Sequence, residues 1–179
     1  MKRIYFITLL LISAVGVQAQ TTVNSAAAQS AKLALSNAIE LTFVEGSGGI
    51  SNMEFSSLND LVNGVESDVQ HLVVQSNKHF DITVSAPSSK FSYTGSSIFN
   101  NILSVASVLK ITCTQANGGQ VVGQTGIWKN FNLFTPTTLL TNCSPGGNQT
   151  FSVKYKATPG ITAASGVYTT NVIFTATQQ

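Results

Sequence analysis

Beyond residue 30, apolar and polar positions alternate with a period of two, and sustained helical periodicity is nearly absent. Leu33, Leu35, Ile39, Leu41 and Phe43 share one parity, broken at Asn37. That break predicts a strand, a kink and a second strand, as when a chain crosses from one sheet to another. A short strand follows around Met53 and Phe55, then a turn at Asn63-Gly64. Val69 to Ser76 predicts a strand buried on both faces, because Leu72, Val73 and Val74 fill both parities. Asn77-Lys78 then predicts a hairpin turn into the alternating strand Phe80, Ile82, Val84, placing residue 71 opposite residue 84. Phe91 and Tyr93 make another short strand. Residues 97–103 read either as one helical turn or as a loop with Ile98 and Phe99 turned inward.

Val105 to Thr114 predicts one long strand, and Asn117-Gly118-Gly119 a hairpin into Val121 and Val122. Ile127, Trp128, Phe131, Leu133, Leu139 and Leu140 supply one or two strands around Pro136. Residues 144–148 read as a loop. Phe151, Val153, Tyr155 and Ala157 alternate against Ser152, Lys154 and Lys156, and the strand stops at Thr158-Pro159-Gly160. A last strand runs from Gly166 through Tyr168, Val172, Phe174 and Ala176. Eight to ten short strands punctuated by turns predict an all-β, single-domain β-sandwich with Greek-key connections. Its expected core holds Leu33, Leu41, Phe43, Leu72, Val74, Phe80, Ile82, Leu109, Ile111, Phe151, Val153, Tyr155, Val172 and Phe174.

The first residues belong to a different class. Lys2 and Arg3 precede an apolar run from Ile4 to Val17, and Val17-Gln18-Ala19 has the small-x-small form of a cleavage site. Residues 1–19 are therefore expected to be a signal peptide, 20–30 a flexible N-terminal segment and 31–179 the sandwich domain. The apolar run is too short for a bilayer, since 14 residues reach only ~21 Å as a helix. No membrane span is expected in the mature chain. The protein is expected to be exported, to the cell surface, the medium or the periplasm.

Composition narrows the function. Charged residues are 9% of the 179, and polarity comes from 21 Ser, 20 Thr, 14 Asn and 11 Gln. A basic polynucleotide binder, a coiled coil and a disordered tail are excluded on that composition. Beyond residue 19 the chain has seven Lys and seven acids. All seven acids (Glu40, Glu45, Glu54, Asp60, Glu66, Asp68, Asp81) precede residue 82, whereas Lys90, Lys110, Lys129, Lys154 and Lys156 follow it. Either the halves interleave in space, or they form complementary faces that orient contacts head to tail.

The candidate chemistry is sparse. Cys113 and Cys143 fit an exported address and are expected to form a structural disulfide. His71 and His79 fall several rungs apart in the expected hairpin, too few and too distant for a metal site. There is no G-x-S-x-G elbow and no His beyond residue 79 to serve a downstream nucleophile. Glu40, Glu45 and Glu54 flank strands without an acid-pocket context. No catalytic residues, metal or cofactor are expected, and the protein is expected not to be an enzyme. Asn142-Cys143-Ser144 and Asn148-Gln149-Thr150 match a glycosylation pattern only weakly. Trp128 either fills the core or, with Tyr93 or Phe131, offers a stacking platform for glycans.

Several stretches resemble a known group. Gln18-Ala19-Gln20 resembles the signal ending of exported Bacteroidetes proteins. Residues 31–43, AKLALSNAIELTF, resemble the opening strands of small secreted sandwiches related to spore-coat-U and fimbrial-type proteins. Residues 73–84, VVQSNKHFDITV, are similar to their central hairpin, and residues 164–172, ASGVYTTNV, to the final strand of pilin-like domains. The resemblance implies an immunoglobulin-like sandwich without catalysis, on or outside the cell, in several relatives a fibre subunit. Unlike chaperone–usher pilins, this chain carries its cysteines late, and its strand count predicts a closed sandwich. The function expected is a surface structural subunit that associates with copies of itself or other surface proteins and serves adhesion. Val23, Ala27 and Ala31 are the candidate strand-donating positions. A carbohydrate-binding module and a non-polymeric surface protein are the rival expectations.

Overall fold

The structure is a computed structural model that describes residues 32–44, 49, 51–132 and 135–179. Leu35–Gln179 forms one compact unit. Strand β1 (Ile39–Phe43) leads through helix α1 (Leu58–Asn63) and β2 (Val65–Glu66) to β3 (Gln70–Ser76) and β4 (Phe80–Ser85). After β5 (Ser92–Thr94) comes a single turn, α2 (Val105–Val108), running directly into β6 (Leu109–Ala116). Short strands β7 (Gln120–Val121) and β8 (Lys129–Asn130) precede β9 (Thr137–Cys143) and the long β10 (Gly146–Ala157). The chain ends with β11 (Val167–Thr169) and β12 (Ile173–Gln178).

The fold is an all-β sandwich. One sheet has the order β1-β3-β10-β6-β8, with β2 added beside β10, and the other has the order β12-β4-β9-β7. Strands β5 and β11 pair separately. The sheets enclose one core, to which Leu72, Val74, Phe80, Ile82, Ile111, Leu139, Phe151 and Val153 contribute buried side chains. Alternation on β3 and β4 explains this: their apolar parities face the same interior from opposite sides.

The two expected hairpins are arches. Asn77 N still donates to Ala38 O (3.2 Å) in the first sheet, while Gln179 N already donates to His79 O (2.8 Å) in the second. The chain crosses the sandwich between them, and Ser76 Oγ holds the crossing by donating to Lys78 O (2.7 Å). Residues 71 and 84 therefore do not pair; β3 pairs with β1 and β10, and β4 with β9 and β12. The Asn117-Gly118-Gly119 turn behaves likewise. Asn117 N donates to Thr150 O (2.8 Å) in one sheet, and Gly118 O accepts from Ser144 N (2.7 Å) at the end of β9 in the other. A positive φ of 78° at Gly118 makes the bend.

Other expectations are corrected locally. The segment from Leu33 to Leu35 is not a strand, and both leucines are more than 80% exposed. Met53 and Phe55 lie in irregular chain, although both pack on the core. The long strand begins at Leu109, because Val105–Val108 closes a helical turn first. The last strand is divided between β11 and β12. Helix α1 was signalled by Ser57-Leu58-Asn59-Asp60, a capping box in which Asp60 N donates to Ser57 Oγ and Asp60 Oδ2 accepts from Ser57 N.

Candidate functional site

The two sheets have their longest outer strands on the same side. β1 ends the first sheet and β12 ends the second, and among the described residues no strand pairs with the outer edge of either. Antiparallel ladders alternate, so one hydrogen bond sets which backbone groups face outward. Because Gln179 pairs with His79, residues 173, 175 and 177 turn their backbone groups toward β4. Phe174, Ala176 and Gln178 present theirs along the open edge. On β1, the Asn77–Ala38 bond leaves Ile39, Leu41 and Phe43 outward in the same way. In both strands these residues have the parity whose partners, Val74 and Leu72 or Val84 and Ile82, are buried.

The two edges meet through apolar side chains and are latched at one end. Phe43 meets Phe174 edge to face at 6.1 Å, and Phe174 meets Phe151 at 6.1 Å below it. Phe43 nevertheless remains 41% exposed. Gln178 Nε2 reaches across from β12 and donates to Ala38 O (2.8 Å), Ser76 Oγ (3.0 Å) and Asn77 Oδ1 (3.1 Å). Nearby, Asp81 accepts from Asn142 N (2.8 Å), Thr141 Oγ1 (3.1 Å) and Gln179 Nε2 (2.8 Å). Burial alone would raise the Asp81 carboxyl, but the three hydrogen bonds outweigh it and hold the group below the usual carboxylate range. The expected strand donors Val23, Ala27 and Ala31, and the expected signal peptide, lie outside the described residues.

The disulfide expectation is corrected. Cys113 and Cys143 are both buried thiols, and no disulfide joins them. Cys113 sits mid-strand on β6 opposite Val153, whereas Cys143 ends β9 in the other sheet, opposite Phe80. Facing sheets ordinarily stand ~10 Å apart, and a bridge needs Cα atoms within about 4.4–6.8 Å. Both thiols serve instead as small core residues. Burial, with smaller contributions from Asp81 and Cys113, pushes the Cys143 thiol up to about 11.

The remaining candidates do not converge. His71 Nδ1 contacts Ser152 Oγ (2.8 Å) on the outer face, and His79 Nδ1 contacts Cys143 O (3.1 Å) at the start of β4. Among the described residues no three His, Cys, Asp or Glu side chains come together as a metal would require. Phe131 is buried in the core, so it forms no platform with half-buried Trp128. Tyr93 stacks instead on Tyr168, tilted by 46° at 4.9 Å. The charge halves interleave where Lys154 Nζ meets Glu66 Oε2 at 2.8 Å. Among the described residues, no helix is long and apolar enough to cross a membrane. No protein-family model matches this chain, and no curated protein matches its sequence.

Proposed function

We propose that this protein is a non-catalytic structural subunit of the cell exterior that assembles by strand addition and serves adhesion. The observation that carries the reading is the pair of open edges, β1 and β12, which meet at Phe43 and Phe174. An added strand would satisfy the outward backbone groups of Phe174, Ala176 and Gln178 and cover Phe43. The sequence offers a donor in the segment carrying Val23, Ala27 and Ala31. On this reading the sandwich is immunoglobulin-like and related to the spore-coat-U and fimbrial-type subunits that residues 31–43 and 164–172 resemble. The expected export of the chain fits such a role.

The test is Ala176→Pro, which removes an outward N–H without touching the β4 ladder. Sedimentation of the variant should show loss of the higher assemblies formed by the wild type, with an unchanged circular dichroism spectrum. A chain starting at Lys32 should lose them too. If both changed chains assemble as the full wild-type chain does, strand addition is wrong.

A further inference from the structure

We propose that the outer face of the first sheet, around Trp128 at its β6–β8 side, binds an acidic polysaccharide, a polymer of uronate sugars. Trp128 is the only tryptophan of the chain, and the ladders fix where it stands. Lys110 pairs with Asn130 and Ile111 with Lys129, while Gly126 N donates to Cys113 O (2.9 Å) on the other side of Trp128. Trp128 is therefore held alongside Thr112. Alternation then assigns the faces. Lys129 and Phe131 turn inward with Ile111: Lys129 Nζ reaches Thr138 O (2.9 Å) in the second sheet, and Phe131 is buried. Trp128 and Asn130 turn outward with Lys110 and Thr112.

The indole lies on the sheet and not in the core, and it is half-buried. Thr112 points outward from β6 and is yet only 2% exposed, its hydroxyl buried without a hydrogen-bond partner. A large flat side chain laid over it from the neighbouring strand accounts for that cover. A ring so placed turns its other face outward, where the apolar face of a sugar can stack. Around it, Gln124, Thr125 and Asn130 are exposed and supply amides and a hydroxyl for sugar hydroxyls.

Charge selects the ligand. Strands β6, β8 and β10 carry four lysines and no acid. Lys110 has Lys156 directly opposite on one side and Asn130 on the other. Like charges so opposed are unfavourable in a ladder, and no acid of the face relieves them. Glu66, beside Lys156 on β2, gives its carboxylate to Lys154 (2.8 Å), and that is the only ion pair among the described residues, so exposed Asp68 takes no lysine. The Lys156 stem lies against Gly64, which leaves Lys110 as the cation beside Trp128. Two free lysines are too few for a nucleic acid, which is held by roughly six to ten phosphate contacts. A uronate polymer carries one carboxylate per ring, set among hydroxyls and apolar ring faces, and matches what this face presents. The inference does not depend on strand addition, because β8 is the far edge of the first sheet from β1.

The fluorescence of the single tryptophan reports the site directly. Titrating the full chain with polygalacturonate should shift that emission to saturation, with affinity falling as salt is raised. Lys110→Gln should weaken binding about tenfold at an unchanged melting temperature. Trp128→Ala should abolish retardation of the chain in gels containing the polymer. Fully methyl-esterified polygalacturonate, the same backbone without its charge, should bind at least about tenfold more weakly. The Ala176→Pro chain should bind as the wild type does, so that loss of assembly and loss of ligand are read separately. An emission that polygalacturonate leaves unchanged, equal binding of the esterified polymer, or binding indifferent to Lys110→Gln overturns the proposal. So does tighter binding of single-stranded DNA that Lys110→Gln weakens.

Discussion

Asp81 shows how much a single side chain does in a protein with few charges. It accepts one backbone and two side-chain hydrogen bonds and ties the end of β9 to the last residue of the chain. Asp81→Asn should cost about 1–2 kcal/mol at neutral pH, read as a lower urea midpoint. The folded carboxyl titrates below its unfolded value, so its contribution is present above about pH 4 and is lost as pH falls through the folded value. The gap between wild type and variant should therefore close in acid. Cys143 has the opposite sign. Its folded thiol is raised from 9.0 to about 11, so its stabilising effect is full below pH 9 and is lost as pH rises toward 11. Burial raises the Tyr155 hydroxyl as well, adding to the same alkaline loss. Urea midpoints should fall steadily from pH 9 to 11, and Cys143→Ala should flatten that fall.

At the scale of elements, alternation located most strands, and their pairing stayed hidden. Phe80, Ile82 and Val84, or Phe151, Val153 and Tyr155, declare a buried face whichever strand lies beside them. Nothing local in Asn77-Lys78 distinguishes a hairpin from an arch; the outcome depends on Ala38 and Gln179, far away in the chain, claiming the residues on either side. The open edges were invisible for the same reason, because counting strands does not reveal which two end up outermost. Residues 97–103, open between a helical turn and a loop with Ile98 and Phe99 inward, take neither form, and both side chains face water. The cysteines misled because sequence spacing carries no Cα separation. The Gln178 latch follows from the arches. It joins the end of β12 to the β1–β3 corner, so Gln178→Ala should cost about 1–2 kcal/mol. Hydrogen exchange should rise chiefly at residues 38–40 and 76–78, while the centre of β4 stays protected.

For the whole molecule, the proposed strand addition would decide what kind of assembly forms. Addition of that kind joins different faces of neighbouring copies and so would propagate. The arches also govern how the chain reaches this state. β3 must find β10, and β4 must find both β9 and β12, so nearly every ladder of the two main sheets waits for a distant stretch of chain. Such topologies fold slowly, since loop closure is paid for before any pairing rewards it. The second sheet cannot be completed until residues 173–178 have been made, because β12 is the outer neighbour of β4. The first sheet has all of its strands once Ala157 has been made, whereas the second still lacks β12, so one wall of the core is complete before the other.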